Sequence, residues 1–153
     1  MASCITLNQV TKRYGKTVAV DNLSLEVQSW EVMGLLGPNG SGKTTTIKML
    51  CGLLVPSAGR ATVAGVELGA DPRALRSRIG YMSQRFSLYE DMSVGENLDF
   101  FAGVYQVPRA QLAARRDWAL QLAGLRGEER RLTRALSGGF KQRLALACAV
   151  LHE

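Results

Sequence analysis

Residues 37–44 read Gly-Pro-Asn-Gly-Ser-Gly-Lys-Thr, and this G-x-x-x-x-G-K-[ST] spacing holds phosphate groups. Gly37, Gly40 and Gly42 allow the backbone angles that turn successive N–H groups inward, with Pro38, Asn39 and Ser41 completing the loop between them. A helix that follows such a loop directs the positive end of its dipole at the same anion. Lys43 then supplies a point charge to the outer phosphates, and the Thr44 hydroxyl is placed to ligate Mg²⁺. The chemistry these residues call for is the binding of a nucleoside triphosphate, ATP or GTP, with its metal ion.

Four fixed positions recur by chance, so the neighbouring elements decide whether the loop is more than a glycine-rich turn. The apolar run Glu31-Val32-Met33-Gly34-Leu35-Leu36 predicts a buried strand before the loop, and residues 45–50 predict a helix closed by Gly52. Upstream, the alternation of Ile5, Leu7 and Val10, then of Leu23, Leu25 and Val27 across a turn at Tyr14-Gly15-Lys16, predicts a small antiparallel sheet. After a turn at 56–59, residues 61–66 read as another strand, and Asp71 before Pro72 as the cap of a short helix carrying 73–77. Residues 79–83 read as a strand with Gln84 at its end, where open α/β sheets place ligand-contacting groups.

From Ser93 the period becomes helical. Ser93 and Glu96 have capping-box spacing, and Leu98, Phe101, Val104 and Tyr105 fall on one face before Pro108 stops the run. A second helix from Pro108 to near Gly124 carries Leu112, Trp118 and Leu122; these stripes are read as core packing.

With 153 residues the chain is one domain or a large piece of a bigger protein. Its longest purely apolar run, Leu144 to Leu151, is far short of a membrane span, and residues 1–16 lack the apolar stretch of a secretory signal. A soluble chain is expected, whose membrane work goes through a separate polypeptide. Cys4, Cys51 and Cys148 lie far apart, which disfavours a metal cluster and fits a reduced compartment. The net charge of +6 concentrates in Arg109, Arg115, Arg116, Arg126, Arg130, Arg131 and Arg134, interrupted by Asp117, Glu128 and Glu129. Without interleaved exposed aromatics this reads as a solvated face, and no nucleic-acid partner is expected.

A second motif, Leu136-Ser137-Gly138-Gly139-Phe140-Lys141-Gln142-Arg143, precedes the apolar stretch 144–151. Ser137 is placed to cap that helix, and its glycines let backbone amides face outward as another anion site. Alone, Ser-Gly-Gly serves equally well as a flexible turn. Together with the phosphate loop and the Gln84 between them, it makes the chain resemble the nucleotide-binding domain of ABC transporters, over all 153 residues, with that family's LSGGQ signature written as LSGGF.

The resemblance implies an α/β P-loop NTPase fold: a RecA-like core and N-terminal antiparallel β-subdomain over 1–85, an inserted α-helical subdomain over 86–136, and the signature helix over 137–151. It implies that Tyr14 stacks on adenine, that residues 37–45, including Thr45, form Walker A around ATP and Mg²⁺, and that Gln84 reaches the metal and senses a membrane domain. For Tyr14 the alternative is an aromatic packed on the sheet; for Gln84 it is a local loop hydrogen bond. Ser137, Gly138 and Gly139 resemble the residues that contact the γ-phosphate of ATP held by an opposite subunit, which implies a dimer. A separate transmembrane permease and a cytoplasmic position at the inner face of the membrane are implied likewise.

Phe140-Lys141-Gln142-Arg143 and residues 79–84 resemble the multidrug and ABC-2 exporter branch. The family's apolar strand ending in Asp-Glu and its switch histidine are not found, and His152-Glu153 reads as the turn out of the signature helix. The expectation is an N-terminal portion of a transporter ATPase, without its own hydrolytic base and poorly stable when made alone. A non-hydrolytic nucleotide-binding fragment is the alternative. A soluble ribosome- or DNA-directed relative is a further one, though a second P-loop or a long coiled-coil insertion is missing.

Overall fold

The computed structural model describes residues 3–71, 74–75, 77–83 and 87–152. They form two compact units, Met1–Arg78 and Ile79–Glu153.

In the first unit, β1 (Ser3–Tyr14) and β2 (Thr17–Gln28) make the antiparallel hairpin that the alternation predicts. Tyr14 pairs with Thr17 across Gly15, whose φ of +57° suits the residue without a Cβ. β3 (Ala58–Val63) adds to β1 and the short β4 (Val66–Glu67) to β3, giving the order β2-β1-β3-β4. One face of this sheet buries Leu7, Val10, Val20 and Ala61 against Met49 of helix α1 (Lys43–Leu50). Cys51 caps the end of α1, and Gly52 follows at φ +66°. Of the short helix expected over 73–77, Ala74 and Leu75 are helical, while Pro72 and Arg73 lie outside the described residues.

The apolar run 31–36 is a correction. It is irregular, with Val32 99 % and Leu36 94 % exposed. A strand exists through its hydrogen-bonded partners, and among the described residues none pairs with this run. Residues 79–83, also expected as a strand, have no ladder for the same reason.

The second unit packs helices α2 (Val94–Val104), α3 (Arg109–Ala123) and α4 (Gly138–Ala149) around one core. The capping box at Ser93 and Glu96 is present in both directions. Pro108 precedes α3, and Gly124 ends it in the left-handed conformation. The buried face of α3 is Ala119, Leu120 and Ala123, whereas Trp118 and Leu122, expected in the core, are 40 % and 44 % exposed. The alanines let α3 approach closely, and that rotation turns the larger neighbours outward. Val104 is likewise exposed rather than core.

The arginine-rich stretch is a solvated face of exposed ion pairs, Arg116 with Asp99, Arg126 with Asp117, Arg131 with Glu128 and Arg134 with Asp91. Pairs of this kind contribute about 0–1 kcal/mol each. Among the described residues no helix is long and apolar enough to cross a membrane, and no group of acidic, cysteine and histidine residues is placed to hold a metal.

Candidate nucleotide site

The phosphate loop closes on its own lysine. The Lys43 ammonium donates to the carbonyl oxygens of Gly37 at 2.6 Å and Pro38 at 2.7 Å, and reaches the Ser41 hydroxyl at 3.4 Å. Within the loop the Ser41 N–H donates to the Pro38 carbonyl at 3.2 Å. Gly40 and Gly42 both sit at φ +84°, and a Cβ on Gly42 would lie 2.4 Å from the Ala19 carbonyl oxygen of β2. The requirement for glycine at position 42 is therefore double, conformational and steric.

Gly42 caps α1 with no side chain, so the first-turn amides of that helix remain directed at the loop. Together with the ammonium they form a donor set for an anion of several oxygens, which is the chemistry of a triphosphate. In the first turn Thr44 is exposed, Thr45 half-buried and Thr46 buried. The Thr44 hydroxyl is thus accessible to a metal accompanying the phosphates.

β2 flanks this loop at Ala19 and begins at the hairpin that carries Tyr14. The Tyr14 ring is 48 % exposed, with the Lys12 ammonium 5.4 Å from its centroid.

In the second unit Ser137 holds the N-cap position of α4, but its hydroxyl accepts no cap hydrogen bond, contrary to the sequence expectation. Its carbonyl accepts the Lys141 N–H at 2.9 Å, closing the first turn. Ser137, Gly138 and Gly139 are exposed, and a depression of about 180 Å³ is lined by Ser137, Gly139, Phe140 and Arg143. No side chain caps the first-turn amides of α4, which belong to exposed residues. The Arg143 guanidinium lies 5.7 Å from the Phe140 ring centroid. Gln84 lies outside the described residues.

Burial pushes the Cys148 thiol up to about 12 and raises Cys51 as well. These are packing residues rather than nucleophiles. His152 sits in the turn after α4 and stacks on Tyr105 with centroids 4.4 Å apart.

Sequence reasoning overlooked Asn97 and Thr133, both fully buried and joined at 3.0 Å, and the pairing of Lys141 with Glu90 at 2.6 Å. The available signal was an asparagine inside the buried stripe of an otherwise apolar helix face, between Val94 and Leu98.

A glycine-turned loop that ends on a helix, beside a sheet and ahead of a helical unit, defines an α/β protein of the P-loop NTPase class. The match can be drawn closer: residues 20–153 match the family described as ABC transporter, and the chain belongs to that family. It is 44 % identical over 149 residues, 97 % of its length, to the probable multidrug ABC transporter ATP-binding protein YbhF of Escherichia coli (strain K12), covering 26 % of that protein. It is 40 % identical over 153 residues to the Nod factor export ATP-binding protein I of Cupriavidus metallidurans, covering 50 % of it. It is also 41 % identical over 157 residues to the methionine import ATP-binding protein MetN of Geobacillus kaustophilus, covering 46 % of it. The chain thus spans half or less of these relatives. A solved structure of an ATP binding subunit of an ABC transporter superposes with a TM-score of 0.86 at 27 % identity, over 97 % of this chain and 62 % of the other.

Proposed function

We propose that the chain is the ATP-binding, energy-coupling portion of an ABC-type exporter subunit. The observation that carries this reading is the pairing of a self-closed phosphate loop around Lys43 with an outward-facing, uncapped signature helix at Ser137. In this reading Lys43 leaves the Gly37 and Pro38 carbonyls and places its charge on the phosphates of ATP, to which the amides of residues 40–45 also donate. Tyr14 stacks on the base. Thr44 and Gln84 hold Mg²⁺, which supplies charge neutralisation across the outer phosphates.

Ser137, Gly138 and Gly139 donate to the γ-phosphate bound by a second ATP-binding subunit, so that two copies close over the nucleotide. Their closure drives a separate transmembrane permease from the cytoplasmic side of the membrane. The division into 1–85, 86–136 and 137–151 belongs to the same reading. Export is favoured by the printed name of the Nod factor export relative and by Phe140-Lys141-Gln142-Arg143. A methionine-import relative at similar identity keeps direction dependent on the permease.

The test is an equilibrium titration with ATP and Mg²⁺, comparing the native chain with Lys43→Ala. Sharply weakened binding in the variant supports the reading, and unchanged affinity overturns it. Steady-state phosphate release with the permease present then separates an energy-coupling ATPase from a binding protein that closes without hydrolysis.

A further inference from the structure

The signature residues do not hold themselves in place: Ser137 makes no side-chain cap, and Gly138 and Gly139 have no side chains to anchor. Their position must come from elsewhere in the second unit. The 3₁₀ turn Thr133–Ala135 leads into them through the buried Leu136, and Thr133 is fully buried. Its hydroxyl accepts from the Asn97 amide of α2 at 3.0 Å. Asn97, also fully buried, accepts the Tyr89 N–H at 2.9 Å and donates to the Tyr89 carbonyl at 2.9 Å and the Ser93 carbonyl at 3.1 Å.

Backbone hydrogen bonds extend this link. The Thr133 N–H donates to the Met92 carbonyl and the Arg134 N–H to the Glu90 carbonyl, both at 3.0 Å. On the far side of the signature, Lys141 reaches back to Glu90 at 2.6 Å, with its side chain 19 % exposed. The segment 133–141 is thereby tied at both ends to the loop 89–93.

An apolar residue at position 97 would bury more hydrophobic surface at lower desolvation cost. What the amide provides instead is a single geometry, because a satisfied buried polar network is lost as a whole when its register slips. We infer that Asn97 and Thr133 are positioning residues: they fix where Ser137, Gly138 and Gly139 present their donors, and lock that segment to the loop 89–93 so the two move together. This rests on the signature role proposed above.

The test compares Thr133→Val, which keeps the shape and removes the hydroxyl, with Thr133→Ser, which keeps the hydroxyl. Amide NMR spectra of the chain are recorded for both. The Gly138 and Gly139 resonances are expected to shift or broaden in Thr133→Val and to stay in place in Thr133→Ser, with Gly37, Gly40 and Gly42 unmoved in both. ATP-driven association is expected to fall about 10-fold in Thr133→Val, at unchanged ATP affinity, because misplaced donors lose contacts that depend on orientation. Unmoved Gly138 and Gly139 resonances in a folded Thr133→Val overturn the inference, as does failure of Thr133→Ser to restore them.

If Thr133→Val does not fold, Thr133→Ala, which removes the hydroxyl without placing a methyl against the Asn97 amide, carries the test: displaced Gly138 and Gly139 resonances are expected, and none overturns it. Resonances that move as expected, with Ser137→Ala leaving ATP-driven association intact, uphold the positioning and overturn the signature role instead.

Discussion

The phosphate loop and the signature segment both place glycines at the N-terminus of a helix, yet they are held by different means. The loop is held largely by itself, Lys43 binding carbonyls five and six residues earlier, with β2 adding a contact at Gly42. The signature is fixed remotely, through Thr133, Asn97 and Glu90. A site that wraps a ligand by itself can be written in eight consecutive residues. One that offers donors outward needs a scaffold to aim them.

The strongest way to break this contrast is at the loop. Lys43→Ala is expected to weaken ATP binding by about 30-fold or more, since it leaves phosphate charge unpaired, as measured by calorimetric titration. Gly42→Ala is expected to abolish binding, because the added Cβ meets the Ala19 carbonyl at 2.4 Å; binding at native affinity would show that the loop is not pinned to β2. Next in size, Leu144→Ala in the fully buried core of α4 is expected to cost about 2–5 kcal/mol. It should unfold the helical unit first. Cys148 in that unit and Cys51 in the other are natural reporters, both with thiol pKa values raised by burial. In urea, labelling at Cys148 should begin at lower concentration in the variant while labelling at Cys51 does not move. Parallel movement would mean that the units unfold together.

Ser137→Ala is a finer probe. With no cap hydrogen bond to lose, it is expected to leave thermal stability and ATP affinity unchanged, and to reduce only ATP-driven association. A fall in stability would place the hydroxyl in the fold instead.

The smallest effect is at the start of α2. Hydrogen bonds from the Ser93 backbone and side chain hold the Glu96 carboxyl below its ordinary value of 4.5. A depressed folded value means that the stabilisation is present above the ordinary range and lost as pH falls through the lowered one. Glu96→Gln is therefore expected to lower Tm slightly near pH 7, with the difference from the native chain vanishing as pH falls through the lowered value. A difference that persists in acid would assign the effect to packing rather than charge.

The local devices were legible in the sequence because each is built from neighbours a few residues apart: the glycine loop, the Ser93–Glu96 box, the Gly124 terminus and the β1–β2 alternation. Elements that depend on distant partners were not. Residues 31–36 carry a strand's composition but join no ladder among the described residues. The buried face of α3 follows Ala119 and Ala123 rather than the larger Trp118 and Leu122, because close helix approach outweighs side-chain size.

The sequence by itself determined the family, the β1–β2 hairpin and the caps at Ser93 and Gly124, since these rest on residue type and short spacing. Only the tertiary structure decided that Lys43 is held by its own loop, that Ser137 does not cap α4, and that a buried Asn97 and Thr133 stand behind the signature. Side-chain hydrogen bonds across 36 residues of separation exist only once the helices have packed, and no local pattern encodes them.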